Sequence, residues 1–427
     1  MNSTPSPTSA ASASDDGDRC PGVLRLHEAD DGLLARVRVP GGRLSPAAWQ
    51  ALAAAARLGD GRLHLTSRGN VQIRGLEAGD REELVEVLAA AELAPSESHD
   101  RARNILASPL AGRLPGHGLL DSLVTELHAA VLDRPALARL SGRFLFGLDD
   151  GSGDILRHGP DLGAQWTGAA DDFEIVVAGS ASGIRTARSS VPAVLADLAE
   201  HFLEVSGDAW RIAPGGEAER AIVDAAGTHR DTADLDRAEG GGASAGGGAP
   251  GPGGGPAAVE APPVGWVDTT DGLVSLLAVT EFAVIDERLA EFLGAIDTET
   301  TISADRVIGV HGLREEQAEQ VVRVLAPMGL IFDAASPWVR ASACIGAEGC
   351  AKSERDVRAD LRAAVAQGGP APGSEADPPA EHWVGCGRAC GWDHESVLRI
   401  ATAEGYERRE GPAGNKTNHG NRERGTR

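Results

Sequence analysis

Apolar and polar residues alternate through GLLARVRV, residues 32–39, with Leu33, Ala35, Val37 and Val39 on one face and Arg36 and Arg38 on the other. A period of two predicts a strand with one buried face. Pro40, Gly41 and Gly42 turn the chain. From Ser45 and Pro46 the period lengthens: Trp49, Leu52, Ala53 and Ala56 share one side of a predicted helix, and Gly59 stops it. RLHLTSRGNVQIRGL, residues 62–76, predicts two short strands or one broken strand; a continuous strand would put Arg68, Asn70, Gln72 and Arg74 on one face. Asp80 opens a second helix with Leu84, Val87, Leu88 and Ala91 inward. The order is β-α-β-β-α.

The same order returns about 240 residues later, an internal repeat of one supersecondary unit. DGLVSLLAVT (271–280) matches the first strand, and a helix follows with Leu289, Phe292, Leu293 and Ile296 inward. RVIGVHGL (306–313) matches NVQIRGL, and a last helix carries Ala318, Val321, Val322 and Leu325. Aligning the copies on their Asp-Gly turns sets Arg36 and Arg38 against Leu276 and Ala278. Only the first copy then offers guanidinium groups from this strand.

Between the copies lies a module with a predicted helix over Leu119, Leu123 and Leu127 and an apolar strand, FEIVVAG. The expected boundaries are a tail at 1–19, the first half-domain at 20–94, an α/β module at 95–235, a Gly/Pro-rich linker at 236–263, the second half-domain at 264–333, a cysteine module at 334–409, and a tail at 410–427. The glycine runs of the linker are no dinucleotide fingerprint, since no strand precedes them and no helix follows.

The charge of −23 argues against nucleic acid and permits docking of a basic partner. No apolar run reaches membrane-spanning length, and residues 1–19 lack the basic and apolar regions of an export signal, so a cytoplasmic protein is expected. The cysteines then change the picture. Cys344 and Cys350 have five residues between them, Cys386 and Cys390 three. Four thiolates in two glycine-rich loops can enclose a [4Fe–4S] cluster. Structural zinc usually has a tighter first knuckle, and disulfides suit small secreted frameworks, so the spacing favours the cluster over both. Cys20 reads as a spare thiol. His64, His99, His117 and His311 show no metal-ligand spacing, and none is assigned as a ligand.

In this order of repeat, module, repeat and cysteine module, the chain resembles the nitrite/sulfite reductase family. The resemblance rests on LARVRVPGG, LTSRGNVQ, ARNILASPLAG and the C-x5-C and C-x3-C cysteines, and it spans most of residues 20–407. It implies an α+β protein of the nitrite/sulfite reductase fold, with two ferredoxin-like half-domain repeats and two α/β modules, the second carrying the iron–sulfur cluster. In that family the cluster sits against a sirohaem whose carboxylates lie among arginines. By position, Arg36, Arg68, Gln72, Arg103 and Asn104 correspond to those binding residues. Arginine forks suit carboxylates, although charges at alternate strand positions are more often a solvated face. Arg38 and Arg74, by contrast, are expected to face solvent or pair structurally.

Two departures matter. Where the reductases carry two lysines that help bind a small anion, this chain has Arg143, which by position is expected with the substrate-binding residues, and Leu145, and His64 replaces an arginine of the bacterial sulfite reductases. Both fit the cobalamin-biosynthesis branch of the family, precorrin-3B synthase, in which a tetrapyrrole is substrate. That resemblance implies oxygen-dependent hydroxylation of precorrin-3A with closure of a γ-lactone. It also implies a mononuclear non-haem iron, NADH as nominal reductant, and a separate electron-donor protein. A sirohaem nitrite or sulfite reductase is the nearest other reading, and a structural-zinc or tetrapyrrole-binding protein the non-enzymatic one.

Overall fold

The computed structural model describes residues 18, 20–169, 171–238, 263–368, 380–392 and 396–410. The expected C-terminal tail beyond 410, the N-terminal tail apart from Asp18, the glycine-rich stretch at 240–256 and most of the 368–380 loop lie outside them. Asp18 corrects the tail's expected limit. Its buried carboxylate accepts from the Gly142 amide at 2.8 Å and the Ser141 hydroxyl at 2.9 Å. Those bonds, with the Cys20 amide, outweigh burial and hold its pKa below the usual carboxylate range.

The first half-domain runs β1 (His27–Ala29), β2 (Gly32–Val37), β3 (Arg43–Leu44), α1 (Pro46–Arg57), β4 (Arg62–Leu65), β5 (Val71–Leu76) and α2 (Arg81–Ala90). Ser45 caps α1, its hydroxyl accepting from the Ala48 amide at 3.1 Å, and Pro46 fills the first turn, where no amide partner is needed. The segment 62–76 is two strands joined by a turn, so Arg68 and Asn70 leave the strand face that Gln72 and Arg74 share.

The middle module contains β6 (Ile105–Ala107), α3 (Asp121–Leu132), β7 (Phe146–Asp149), β8 (Leu162–Trp166), β9 (Asp172–Val177), β10 (Ser180–Ala187), α4 (Val191–Val205) and α5 (Glu217–Ala238). Its sheet has the order β10-β9-β8-β7-β6. Leu119, expected on a helix face, precedes α3 and is exposed. Helix α5 extends three residues into the expected linker.

The second half-domain repeats the first: β11 (Gly265–Asp268), β12 (Val274–Ala278), β13 (Val284–Asp286), α6 (Glu287–Leu293), β14 (Thr300–Ile302), β15 (Ile308–Leu313) and α7 (Glu315–Leu325). Phe292, expected inward, is exposed, because α6 ends at Leu293 and buries only Leu289, Ala290 and Leu293. The two sheets exchange strands. Their orders are β1-β2-β5-β4-β13 and β11-β12-β15-β14-β3, so each is completed by a strand of the other copy. The turn feeding β3 needs glycine: Gly42 has φ 69°, and a Cβ there would sit 1.9 Å from the Ile302 carbonyl oxygen. One apolar core joins both copies, with Trp49 and Leu52 of α1 in the same cluster as Leu289 and Leu293 of α6. The Trp49 indole, fully buried, donates to the Thr300 hydroxyl at 2.6 Å, so its polar atom is satisfied across the repeat.

Ladder register corrects the alignment of the copies by one residue. Arg36 pairs with Gln72, and the equivalent pair is Leu277 with Gly309 rather than one involving Leu276. The Asp-Gly turns mislead because β1–β2 closes directly at Ala29 and Gly32, whereas Asp268 and Val274 flank a longer turn.

The cysteine module has β16 (Ala341–Ala343), α8 (Val357–Ala366), β17 (Glu381–Val384), β18 (Val397–Thr402) and β19 (Gly405–Arg409), in the sheet order β16-β17-β18-β19. Among the described residues no helix is long and apolar enough to cross a membrane.

Candidate functional site

A cleft of about 630 Å³ lies where the first half-domain sheet meets the cysteine loops. Its floor is a transverse row set by register: Arg36 of β2, Gln72 of β5 and His64 of β4 stand side by side. Arg68 joins from the turn after β4, its Nη1 donating to the Arg143 carbonyl at 2.8 Å. Cys344, Cys350 and Cys390 line the opposite wall with Lys352 and Arg388.

The cations are its electrostatic signature. Arg36, Arg68, Lys352 and Arg388 line the cleft with no carboxylate in salt-bridge reach among the described residues. Burial, then repulsion from Arg211 and Arg36, pushes the Arg68 pKa down to about 10. Burial, then Arg36, pushes Arg38 down to about 9. Both stay charged at neutral pH. With Arg74 and Arg358 also on the lining, the cleft's cations outnumber its carboxylates, Glu28 and Asp30, so a chain of net charge −23 gathers positive charge in one place. His64 is buried, its Nε2 3.3 Å from Asp60 Oδ2. Burial lowers its pKa despite that carboxylate, so it is neutral at pH 7.

Three of the residues expected on the ligand lie elsewhere. Arg103 is fully buried beneath the Leu93 carbonyl, which accepts from its Nη2 at 2.8 Å. Asn104, also fully buried, accepts from the Asn70 amide group at 2.8 Å and donates to the Phe144 carbonyl at 3.1 Å, tying two modules together. Arg143 stacks on Trp210, 4.5 Å from the ring centre, outside the cleft lining. Leu145 is 1% exposed and packs with Leu106, Ile155 and Ala304. Sequence reasoning missed Lys352 and Arg388. Their signal was position: one lies two residues past Cys350, the other between Cys386 and Cys390.

The cysteine loops fit a cluster. All five cysteines are free thiols in this structure. Among the described residues, no three of the sulfurs at 344, 350, 386 and 390 lie within 4.8 Å of one another. Four thiolates on one zinc at about 2.3 Å would be roughly 3.8 Å apart, closer than this spacing, whereas the sulfurs around a larger cage stand farther apart. The Gly385 amide donates to Cys344 Sγ at 3.3 Å. Burial pushes both the Cys344 and Cys390 thiols up, with neighbouring thiols adding to it. Such sulfurs ionise when a metal group binds them.

In the second copy the positions equivalent to Arg36 and Arg38 are apolar, Leu277 and Val279. Leu277 and Val279 pack instead on Leu110 of the middle module and Val307, with Trp338 alongside. His311, which takes the place of Arg74, is buried between Ser275 and Thr301 at 3.0 and 2.8 Å. In the middle module, Asp149, Asp150 and Asp154 bring carboxylates within 4.8 Å of one another. Asp149 is consumed by the amides of Gly151, Gly153 and Ile155, and Asp154 by the Ser108 hydroxyl.

Comparison with known proteins agrees with this architecture. Residues 26–91 match the nitrite/sulfite reductase ferredoxin-like half domain. A precorrin-3B synthase from Sinorhizobium sp is 27% identical over 415 residues, covering 91% of this chain and 81% of that protein. A ferredoxin–nitrite reductase from Synechococcus elongatus is 31% identical over 166 residues, covering 36% of this chain and 32% of the reductase. Among solved structures, the NirA protein of Mycobacterium tuberculosis superposes with a TM-score of 0.65 at 17% identity, covering 86% of this chain and 71% of that one.

Proposed function

We propose that this chain, which has the nitrite/sulfite reductase fold, is a precorrin-3B synthase. It binds precorrin-3A in the cleft and uses O2 to hydroxylate a meso carbon, with a ring acetate closing the γ-lactone. One oxygen atom enters the product and the other leaves as water, two electrons coming from NADH through a donor protein. The observation that supports the reading is the set of unpaired cations, Arg36, Arg68, Lys352 and Arg388, lining one cleft together with the thiols of Cys344, Cys350 and Cys390. A polycarboxylate macrocycle matches that charge, and arginine forks take carboxylates two bonds at a time.

Cys344, Cys350, Cys386 and Cys390 would hold the [4Fe–4S] cluster, which supplies single-electron transfer when bound. The chain's own residues do the rest. Arg36 and Arg68 hold carboxylates from the sheet side, Lys352 and Arg388 from the cysteine side, and Gln72 offers an amide between Arg36 and His64. The mononuclear iron is a poorer fit: among the described residues, no three-ligand His, Cys, Asp or Glu group lines the cleft.

A sirohaem nitrite or sulfite reductase is the second reading, favoured by the partial match to a nitrite reductase. Against it, Leu145 is buried in apolar contacts and Arg143 lies on Trp210, so neither puts charge in the cleft. Separate incubations of reduced protein with precorrin-3A plus O2, with sulfite and with nitrite decide between them. A lactone-bearing product in the first alone supports the synthase. Robust reduction of either anion overturns it.

A further inference from the structure

The loop carrying Cys350 is held on both sides by the first half-domain, by a hairpin turn on one side and by β5 on the other. The turn between β1 and β2 carries Asp30 and Asp31. Arg74 of β5 meets Asp31 with a two-pronged pair, Nε to Oδ2 and Nη2 to Oδ1, each 2.7 Å. The same Nη2 donates to the Gly349 carbonyl at 3.2 Å, and Asp30 Oδ2 accepts from the Ala351 amide at 2.7 Å. The residues before and after Cys350 are thus both fixed by the first half-domain. The fit requires glycine, since a Cβ on Gly349 would come 2.4 Å from Asp31 Oδ2.

Exposed ion pairs contribute little, but this one is bidentate and its arginine is 7% exposed. Arg74 also lines the cleft and shares a strand face with Gln72. Groups that hold a metal ligand from outside fix its orientation and tune the metal. We propose that the Asp31–Arg74 pair is a positioning device that sets where the Cys350 thiolate meets its cluster and balances the charge felt there. This rests on the cluster reading of the four cysteines. An added electron is stabilised by nearby positive charge and opposed by negative charge, so the paired charges cancel only while both are present. Asp30, Lys352, Arg388 and the Glu348–Arg358 pair at 3.3 Å are further charged groups beside this loop.

The test is an EPR-monitored reduction titration of the holoprotein carrying Asp31→Asn, Arg74→Gln or both, with iron and sulfide content measured alongside. Asp31→Asn leaves Arg74 uncompensated, so the midpoint potential should rise. Arg74→Gln leaves Asp31, so it should fall, and the double variant should return towards the parent value. Arg74→Lys keeps the charge but loses the fork, and should hold the parent potential while shedding the cluster faster in air. Unchanged potentials with full iron in both single variants would overturn the proposal, as would shifts in the same direction. If the single variants do not fold, Arg74→Lys decides: a cluster as long-lived as the parent's refutes positioning. Parent protein holding zinc or no metal refutes the cluster reading itself, a separate outcome.

Discussion

Arg36 and Leu277 occupy the same place in the two half-domains, one paired with Gln72 across its ladder and the other with Gly309. The backbone is duplicated, but of this pair only Arg36 is cationic. Leu277 packs instead with Leu110 and its neighbours.

Replacing Arg36 or Arg68 with Ala should therefore weaken a polycarboxylate ligand by about 1.5–3 kcal/mol, roughly ten- to a hundred-fold. Lysine should restore part of it, keeping charge without the planar fork. Arg103→Ala should instead lower thermal stability, because its guanidinium contacts the Leu93 carbonyl and not the cleft. Titration of precorrin-3A by absorbance, beside thermal melts, separates the two behaviours.

Cys386→Ser and Cys390→Ser should lose iron and sulfide, since a hydroxyl is a poor partner for iron beside soft thiolates. Cys20→Ser should leave metal content unchanged. Full iron in the first two variants would show that the ligands lie elsewhere.

Leu145→Lys is a stability experiment rather than a test of anion reduction. At 1% exposure the new ammonium would be buried among Leu106, Ile155 and Ala304. A loss of at least about 3 kcal/mol is expected by chemical denaturation, with no gain of sulfite or nitrite turnover.

Asp154 gives a pH dependence with a definite sign. Burial first, and then the charge of Asp150, pushes it up to about 7. Its folded pKa lies above its unfolded value, so stability is fully present below about pH 4 and is lost as pH rises towards 7. Asp154→Asn should remove that loss: melting temperatures should agree near pH 4 and diverge by pH 8 in favour of the variant. The difference is a few kcal/mol at most, at about 1.4 kcal/mol per pKa unit. A variant less stable at pH 8 would mean that the ionised carboxylate is needed.

Alternation at Leu33, Ala35, Val37 and Val39 exposed the first strand because one face is core and the other cleft. The cysteine spacing was equally legible, since the loops are local. Strand exchange was not: Arg43–Leu44 and Val284–Asp286 are too short to show a period. Nor could a motif tell Arg36 from Arg103. Both are arginines in matching segments, and only packing decides that one opens on the cleft while the other turns to a buried carbonyl.

The exchanged strands also dictate when this protein can finish folding. Leu44 must find Thr300, and Arg62 must find Asp286, so the first sheet keeps an unpaired edge, and β3 has no sheet to join, until the second copy has been synthesised. Closure over such sequence distances is slow, and open edges invite pairing with other chains. A fragment ending before residue 284 would leave the ribosome with its first sheet one strand short. Chaperone demand should be concentrated in that interval.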